Sequence, residues 1–371
     1  MIPEFPLALS SEQIANELVE MSRRAVEGVR ALSQVRSEDI AYGITPKTAV
    51  YHDDLVTLYR YTPRVAAPLQ PPVLITYALV NRPYMIDLQE DRSLVSGLLD
   101  LGLDVYLIDW GYPQRNDRWL TLDDYINGYL NDCVDHLLGS LKIEQINLLG
   151  ICQGGVFSLC YAALNPSKIA NLITMVAPVD THVPDGLLNL WMGANGGKPS
   201  IDPEKMVEAL GNIPGDVMNF GFLMLKPFEL GLQKYLSLLD TLDDSAHSTN
   251  FLRMEKWIFD SPDQAGAAWA EFVRHFYIEN GLIRGEIEIG GQRVDLKKII
   301  MPVLNIYAEK DHLVPPASSK ALEGAISSSD YTAVSFPVGH IGMYVSARVQ
   351  KQLPPTIADW LKARCSPINL G

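Results

Sequence analysis

The chain is poor in cysteine and in positive charge, and it has no long apolar run. Four cysteines, Cys133, Cys152, Cys160 and Cys365, occur in 371 residues. They have neither the density of a disulfide framework nor the paired spacing of a metal site, so a reduced cytosol and no bound metal or cofactor are expected. Lys and Arg number 30 against 44 Asp and Glu, a formal charge of −14, which argues against a nucleic-acid partner. No uninterrupted apolar stretch is long enough to span a bilayer. The N-terminus, MIPEFPLALS, has neither a basic n-region nor a convincing apolar h-region, so no signal peptide is expected. Internal repeats and low-complexity tracts are missing too. What is present is an apolar content of 47%, enough for a large core in one domain, or in one domain carrying an insertion.

The most informative stretch is QINLLGICQGGVFSLCYAALN, residues 145–165. Ile146–Leu149 reads as a short buried strand, and Gly155–Leu164, small and apolar, reads as a buried helix. Between them stands Gly150-Ile151-Cys152-Gln153-Gly154. Strand, G-x-C-x-G and helix together resemble the nucleophile elbow of the α/β hydrolases, with cysteine in place of serine. The glycines suit a strained turn in which side chains two positions either side of the nucleophile would collide with strand and helix. Backbone N–H groups at the helix start are left free, so that of Gln153 is placed to face a developing oxyanion.

The rest of the chain alternates in the manner of a parallel sheet. Ile14, Leu18, Met21, Ala25, Val29 and Leu32 predict a helix over 11–33. A hairpin is predicted from 48–51 and 55–61, and strands over 72–80, 104–110, 171–178, 302–308 and 331–336. Helices are predicted over 93–101, 121–138, 316–326 and 357–363. The rhythm stops between about 183 and 295, a segment with Gly and Pro turns, an apolar stretch over 220–239 and a small hairpin around Gly290-Gly291. It reads as a cap over the carboxyl end of the sheet, where ligands bind in such folds. The expected division is an N-terminal helical segment (1–38), a core (39–182 and 296–371) and an inserted cap (183–295).

Three residues fall in the order nucleophile, acid, histidine, each at the carboxyl end of a predicted strand. Cys152 is the nucleophile. His340, in a Gly339-His340-Ile341-Gly342 turn, is the base suited to take a thiol proton near neutral pH. Asp311 is the acid by position, with Asp180 and Glu309 as rivals; Asp109 precedes the nucleophile, which is the wrong order. His52, His136, His182, His247, His275 and His312 lack such placement. The loop after the 72–80 strand supplies the second oxyanion donor in this fold, at Val80 or Asn81. Arg82 reads either as a phosphate contact or as a partner of Asp87 or Glu90. A thiol nucleophile points to thioester acyl transfer, because one thioester exchanges for another at little cost.

GICQGG at 150–155, YALVNRPYMIDLQEDRS, DVYLIDWGYP, LTLDDYINGY, NFLRMEKWIFDSPDQAG, DHLVPP and GHIGMYVS resemble blocks of the class III polyhydroxyalkanoate synthase catalytic subunits. The likeness runs from about residue 39 to the C-terminus, and the cap loop NGGKPS (195–200) is a variation within it. The resemblance implies an α/β-hydrolase fold, a mostly parallel sheet with helices on both faces and a cap. It implies polymerisation of (R)-3-hydroxyacyl-CoA, chiefly 3-hydroxybutyryl-CoA, with release of CoA. In that scheme Cys152 carries the acyl chain, His340 deprotonates Cys152, and Asp311 orients His340 or helps deprotonate the incoming 3-hydroxyl. Backbone N–H groups of Gln153 and Val80 form the oxyanion hole, with Asn81 and Arg82 as candidate substrate contacts. Also implied are a non-catalytic PhaE-type subunit, a homodimer or larger assembly, and a cytoplasmic place at the surface of polyester granules. Trp257 resembles a family position associated with dimer or product contacts, and otherwise reads as a cap-core residue. Two other readings remain: a thioesterase or depolymerase with the same triad, and a granule-coating scaffold with a relic site.

Overall fold

The computed structural model describes residues 40–228 and 245–365 together with Val19 and Arg23. Apart from those two positions, the helix expected over 11–33 lies outside the described residues, as do positions 229–239 of the apolar stretch. The chain divides into two compact units, one of Tyr42–Asn219 with Phe259–Gly371 and one of Met1–Ala41 with Phe220–Ile258.

The first unit is built on an eight-stranded sheet. Its strands are β1 (Lys47–Asp53), β2 (Val56–Tyr61), β3 (Leu69–Thr76), β4 (Leu103–Asp109), β5 (Ile146–Ile151), β6 (Ile169–Met175), β7 (Val303–Ala308) and β8 (Tyr331–Phe336), in the spatial order 1-2-4-3-5-6-7-8. The β1–β2 hairpin is antiparallel and joins β4 antiparallel. From β4 to β8 every neighbouring pair is parallel. All residues of β4 and β5 are buried, which is why both are mostly apolar: helices cover both faces. Several polar side chains inside the sheet pair with one another. Asn171 Nδ2 donates to Asn147 Oδ1 at 2.8 Å, and Thr174 Oγ1 to Asn305 Oδ1 at 3.0 Å.

Four helices pack on this sheet. In α1 (Leu94–Asp100) the hydroxyl of Ser93 caps the start by accepting from Ser96 N–H. The long helix expected over 121–138 is π-helical over Asp124–Leu130 and continues as α2, Asn131–Leu141. It stops where Lys142 turns left-handed, with φ 54°. α3 (Gln153–Leu164) is buried along all but its last residue. α4 spans Ala347–Lys362 and is ten residues longer at its start than the 357–363 expectation. Pro354 and Pro355 read as breakers in sequence. The helix runs through them because Val349, Leu353, Ile357, Ala358 and Leu361 lie on one buried face. The helix expected over 316–326 is split into Pro316–Lys320 and Leu322–Ala325.

Between β6 and β7 the chain forms short helices and one small antiparallel hairpin, Glu288–Ile289 with Gln292–Arg293. Within the first unit, Ile213, Trp269 and Val273 form an apolar cluster of their own. Phe272, Phe276, Tyr277 and Leu282 join the main core. In the second unit, Trp257 on the helix Ser245–Phe259 is buried, and Arg253 Nε donates to Ala41 O at 2.9 Å. Among the described residues, no helix is long and apolar enough to cross a membrane.

The contact between α1 and α4 is closed by a glycine. A methyl group on Gly97 would stand 2.5 Å from Pro354 Cγ. Gly97→Ala is expected to destabilise the fold, lowering the urea midpoint by an amount equivalent to about 1–3 kcal/mol of overpacking. Helix propensity alone would favour alanine by about 1 kcal/mol, so a net loss isolates the clash. Adding Pro354→Ala should restore part of it, and a midpoint that rises in Gly97→Ala would refute this packing account.

Candidate active site

The elbow is a turn in which the chain leaves β5 and enters α3 within one residue. Cys152 sits at that residue with φ 53° and ψ −120°, a conformation that costs a non-glycine residue about 1–3 kcal/mol. The surrounding glycines show what holds it there. A Cβ on Gly154 would lie 2.2 Å from Thr76 O, one on Gly155 2.6 Å from Ala177 Cβ, and one on Gly150 2.5 Å from Ser158 Oγ. The start of α3 is therefore pressed against the exits of β3 and β6. Cys152 N donates to Met175 O at 2.8 Å, tying the strained residue to β6.

His340 follows β8 and Asp311 follows β7, and the fold brings them together in the interior. His340 Nδ1 lies 2.7 Å from Asp311 Oδ2. The other oxygen, Oδ1, accepts from the N–H groups of Leu313 and Val314, both at 2.9 Å. The carboxylate is thus held at both oxygens. Cys152 lies close enough for its charge to act on the imidazole, whose Nδ1 is engaged by Asp311. Burial disfavours charge on the imidazole. The charge of Asp311, then that of Cys152, with the hydrogen bond to Asp311, outweigh it and hold the His340 pKa well above its ordinary value.

The rival acids are occupied elsewhere. Asp180 Oδ1 accepts from Asn280 Nδ2 and from His182 N. Glu309 Oε1 accepts from Ser335 Oγ, and Asp109 takes Arg82. The loop after β3 begins at Tyr77, earlier than the expected strand end at Val80, and its first turn leans on α3. Leu79 N donates to the side-chain Oε1 of Gln153 at 2.9 Å, so that N–H is spent. No acceptor binds Val80 N–H among the described residues. Asn81 Nδ2 donates to Ser261 Oγ at 2.7 Å. Arg82 pairs with Asp109 at 2.7 Å, donates to Gly111 O at 3.0 Å and lies over the Tyr112 ring. Asp87 is taken by Thr45 and Ser93.

Sequence reasoning passed over three tyrosines. Tyr77, Tyr277 and Tyr344 are buried. Burial first, and then negative charge that includes Cys152, raises the hydroxyl pKa of each. They stand around the thiol as neutral groups. Tyr344 packs edge-on to Tyr77 and to His340. Its signal in sequence was its place in GHIGMYVS, and that of Tyr77 its place at the head of YALVNRPYMIDLQEDRS; Tyr277 gave none. Among the described residues, no three His, Cys, Asp or Glu side chains are grouped to hold a metal.

Comparison with known proteins gives concordant results. The family model for the alpha/beta hydrolase fold matches residues 71–347. The model for the poly-beta-hydroxybutyrate polymerase (PhaC) N-terminus matches residues 30–98. The chain is 57% identical to a poly(3-hydroxyalkanoate) polymerase subunit PhaC of Synechocystis over 98% of this chain and 96% of that one. It is 53% identical to the subunit of the same name from Allochromatium vinosum, over 97% and 100% of the two chains. Among solved structures, a hydrolase from Pseudomonas aeruginosa aligns with TM-score 0.51 at 15% identity, over 86% of this chain and 98% of that one, a likeness of fold alone.

The raised pKa of His340 has a consequence for stability. A histidine that binds its proton more tightly when folded contributes stability that is fully present below about pH 6.5, its unfolded value, and is lost as pH rises through the folded one. The wild-type urea midpoint should therefore fall above about pH 6.5 more steeply than that of Asp311→Asn, in which the nearest favourable charge is gone. Equal slopes in the two proteins would show that Asp311 does not hold the proton on His340.

Proposed function

The chain belongs to the PhaC family of poly(3-hydroxyalkanoate) polymerases, acyltransferases with the α/β-hydrolase fold, and from that premise we propose that it works as a class III synthase through an acyl-cysteine. The observation that carries the proposal is the buried Asp311–His340 pair with the partly open Cys152 beside it at the elbow. His340 takes the thiol proton of Cys152, and the thiolate attacks the thioester carbonyl of an (R)-3-hydroxyacyl-CoA, chiefly 3-hydroxybutyryl-CoA. Negative charge gathers on the carbonyl oxygen, where the N–H groups of Gln153 and Val80 converge. Collapse expels CoA as a thiolate, which takes the proton of the His340 imidazolium, and the acyl group remains on Cys152. A 3-hydroxyl then gives its proton to neutral His340 and attacks the acyl-cysteine carbonyl. An ester bond forms and Cys152 is released. With both oxygens of its carboxylate engaged, Asp311 orients His340 rather than meeting the hydroxyl itself.

No metal or cofactor takes part in this scheme; the CoA thioester is substrate. The word "subunit" in the relatives' names accords with a partner chain; the proposal makes that chain PhaE-type, and adds a homodimer or larger assembly and a cytoplasmic place at the surface of the growing polyester granule. Since Arg82 is paired with Asp109 and Asn81 with Ser261, any contact these two make to CoA would need the loop to reorganise.

The test is a product assay with 3-hydroxybutyryl-CoA, in the presence and absence of a PhaE-type subunit. Cys152→Ala is expected to abolish both CoA release and insoluble polyester. Cys133→Ala should change neither, because Cys133 is buried and burial pushes its thiol up to about 12. Free hydroxy acid in place of polyester would establish the thioesterase reading instead, and CoA release surviving in Cys152→Ala would sink the acyl-cysteine.

A further inference from the structure

The proposed oxyanion hole needs Val80 N–H aimed at the elbow, yet the loop that carries it has no regular structure to aim it. The Leu79–Val80 peptide is trans, so Leu79 C=O and Val80 N–H lie on opposite edges of one rigid plane. Whatever holds the carbonyl therefore sets the direction of the N–H. That holder is Gln264, whose Nε2 donates to Leu79 O at 2.8 Å. Gln264 is buried. Its backbone is pinned by two hydrogen bonds with Ile213, from Gln264 N to Ile213 O at 2.8 Å and from Ile213 N to Gln264 O at 3.0 Å.

The geometry points to Gln264 as a positioning residue that turns the Leu79–Val80 peptide so that Val80 N–H faces the tetrahedral intermediate on Cys152. On one side, Gln153 Oε1 holds Leu79 N; on the other, Gln264 Nε2 holds Leu79 O. Residue 79 is thereby gripped at both of its backbone polar atoms, and the next N–H is left for the substrate. The side-chain amide of Gln264 has one allowed orientation, since the reverse would set two acceptors face to face. Its Oε1 has no partner among the described residues, so the amide is held through its donor end. This inference rests on the acyl-cysteine reading and adds to it a residue that touches neither substrate nor triad.

The experiment separates the oxyanion from the thiol. Acylation of Cys152 by 3-hydroxybutyryl-CoA passes through an oxyanion, whereas alkylation by iodoacetamide is a direct displacement at carbon with none. In Gln264→Met, close in length but without a donor, single-turnover acylation of the full chain should fall by about 10- to 100-fold, somewhat less than the loss of an oxyanion donor itself. Alkylation of Cys152 should keep its wild-type rate. Gln264→Glu, which keeps the shape and puts an oxygen where the donor was, should do the same and carries the test if the methionine variant fails to fold. Unchanged acylation would overturn the proposal. So would acylation and alkylation falling by the same factor, since that loss lies at the thiol. A wild-type chain that releases CoA with no acyl group on Cys152 would instead sink the mechanism beneath the proposal, and the proposal with it.

Discussion

Close approach between β5, α3 and the exits of β3 and β6 is the constraint on which the site depends. It is possible because positions 150, 154 and 155 carry no side chain. The consequence reaches beyond the elbow. β3 stops at Thr76, and the following loop leans on Gln153 through Leu79 N. The start of α3 thus supplies a strained nucleophile, an uncapped N–H and an anchor for the neighbouring loop. A rigid sheet fixes all three at once, which suits a reaction in which charge develops at one defined point.

The acid and base are held by similar economy. Asp311 accepts three hydrogen bonds, two from the turn that follows it and one shared with His340. An aspartate so engaged fixes the ring in one orientation. The tyrosine ring of residue 344 packs against that imidazole, so the histidine is positioned from its face as well as its edge. Burial alone would strip the proton from His340. The charges of Asp311 and Cys152 reverse the balance.

Much of this was legible in the chain, for a physical reason. Cys152, Asp311 and His340 each follow a short apolar run, and a strand buried on both faces betrays its end by the first polar or glycine residues after it. What was hidden depended on contacts between distant segments. Arg82 reads in sequence either as a phosphate contact or as a partner of nearby Asp87 or Glu90, but Asp87 is used by Thr45 and Ser93, and the guanidinium turns to Asp109. Pro354 and Pro355 concealed the first ten residues of α4, whose buried face outweighs the lost backbone bonds. Gln264 lies far along the chain from Leu79, and no local pattern marks a side chain whose partner is a single remote carbonyl.

The four cysteines have very different surroundings. Cys133, Cys160 and Cys365 are buried, while Cys152 is partly open, and burial raises the thiol pKa of the first three. The folded chain therefore concentrates its sulfur reactivity in one atom. A peroxide that reaches it would make a sulfenic acid whose neighbouring thiols are shut inside the core, leaving repair to small thiols from solution. For the same reason, a stoichiometric thiol reagent applied to the folded protein counts competent sites directly.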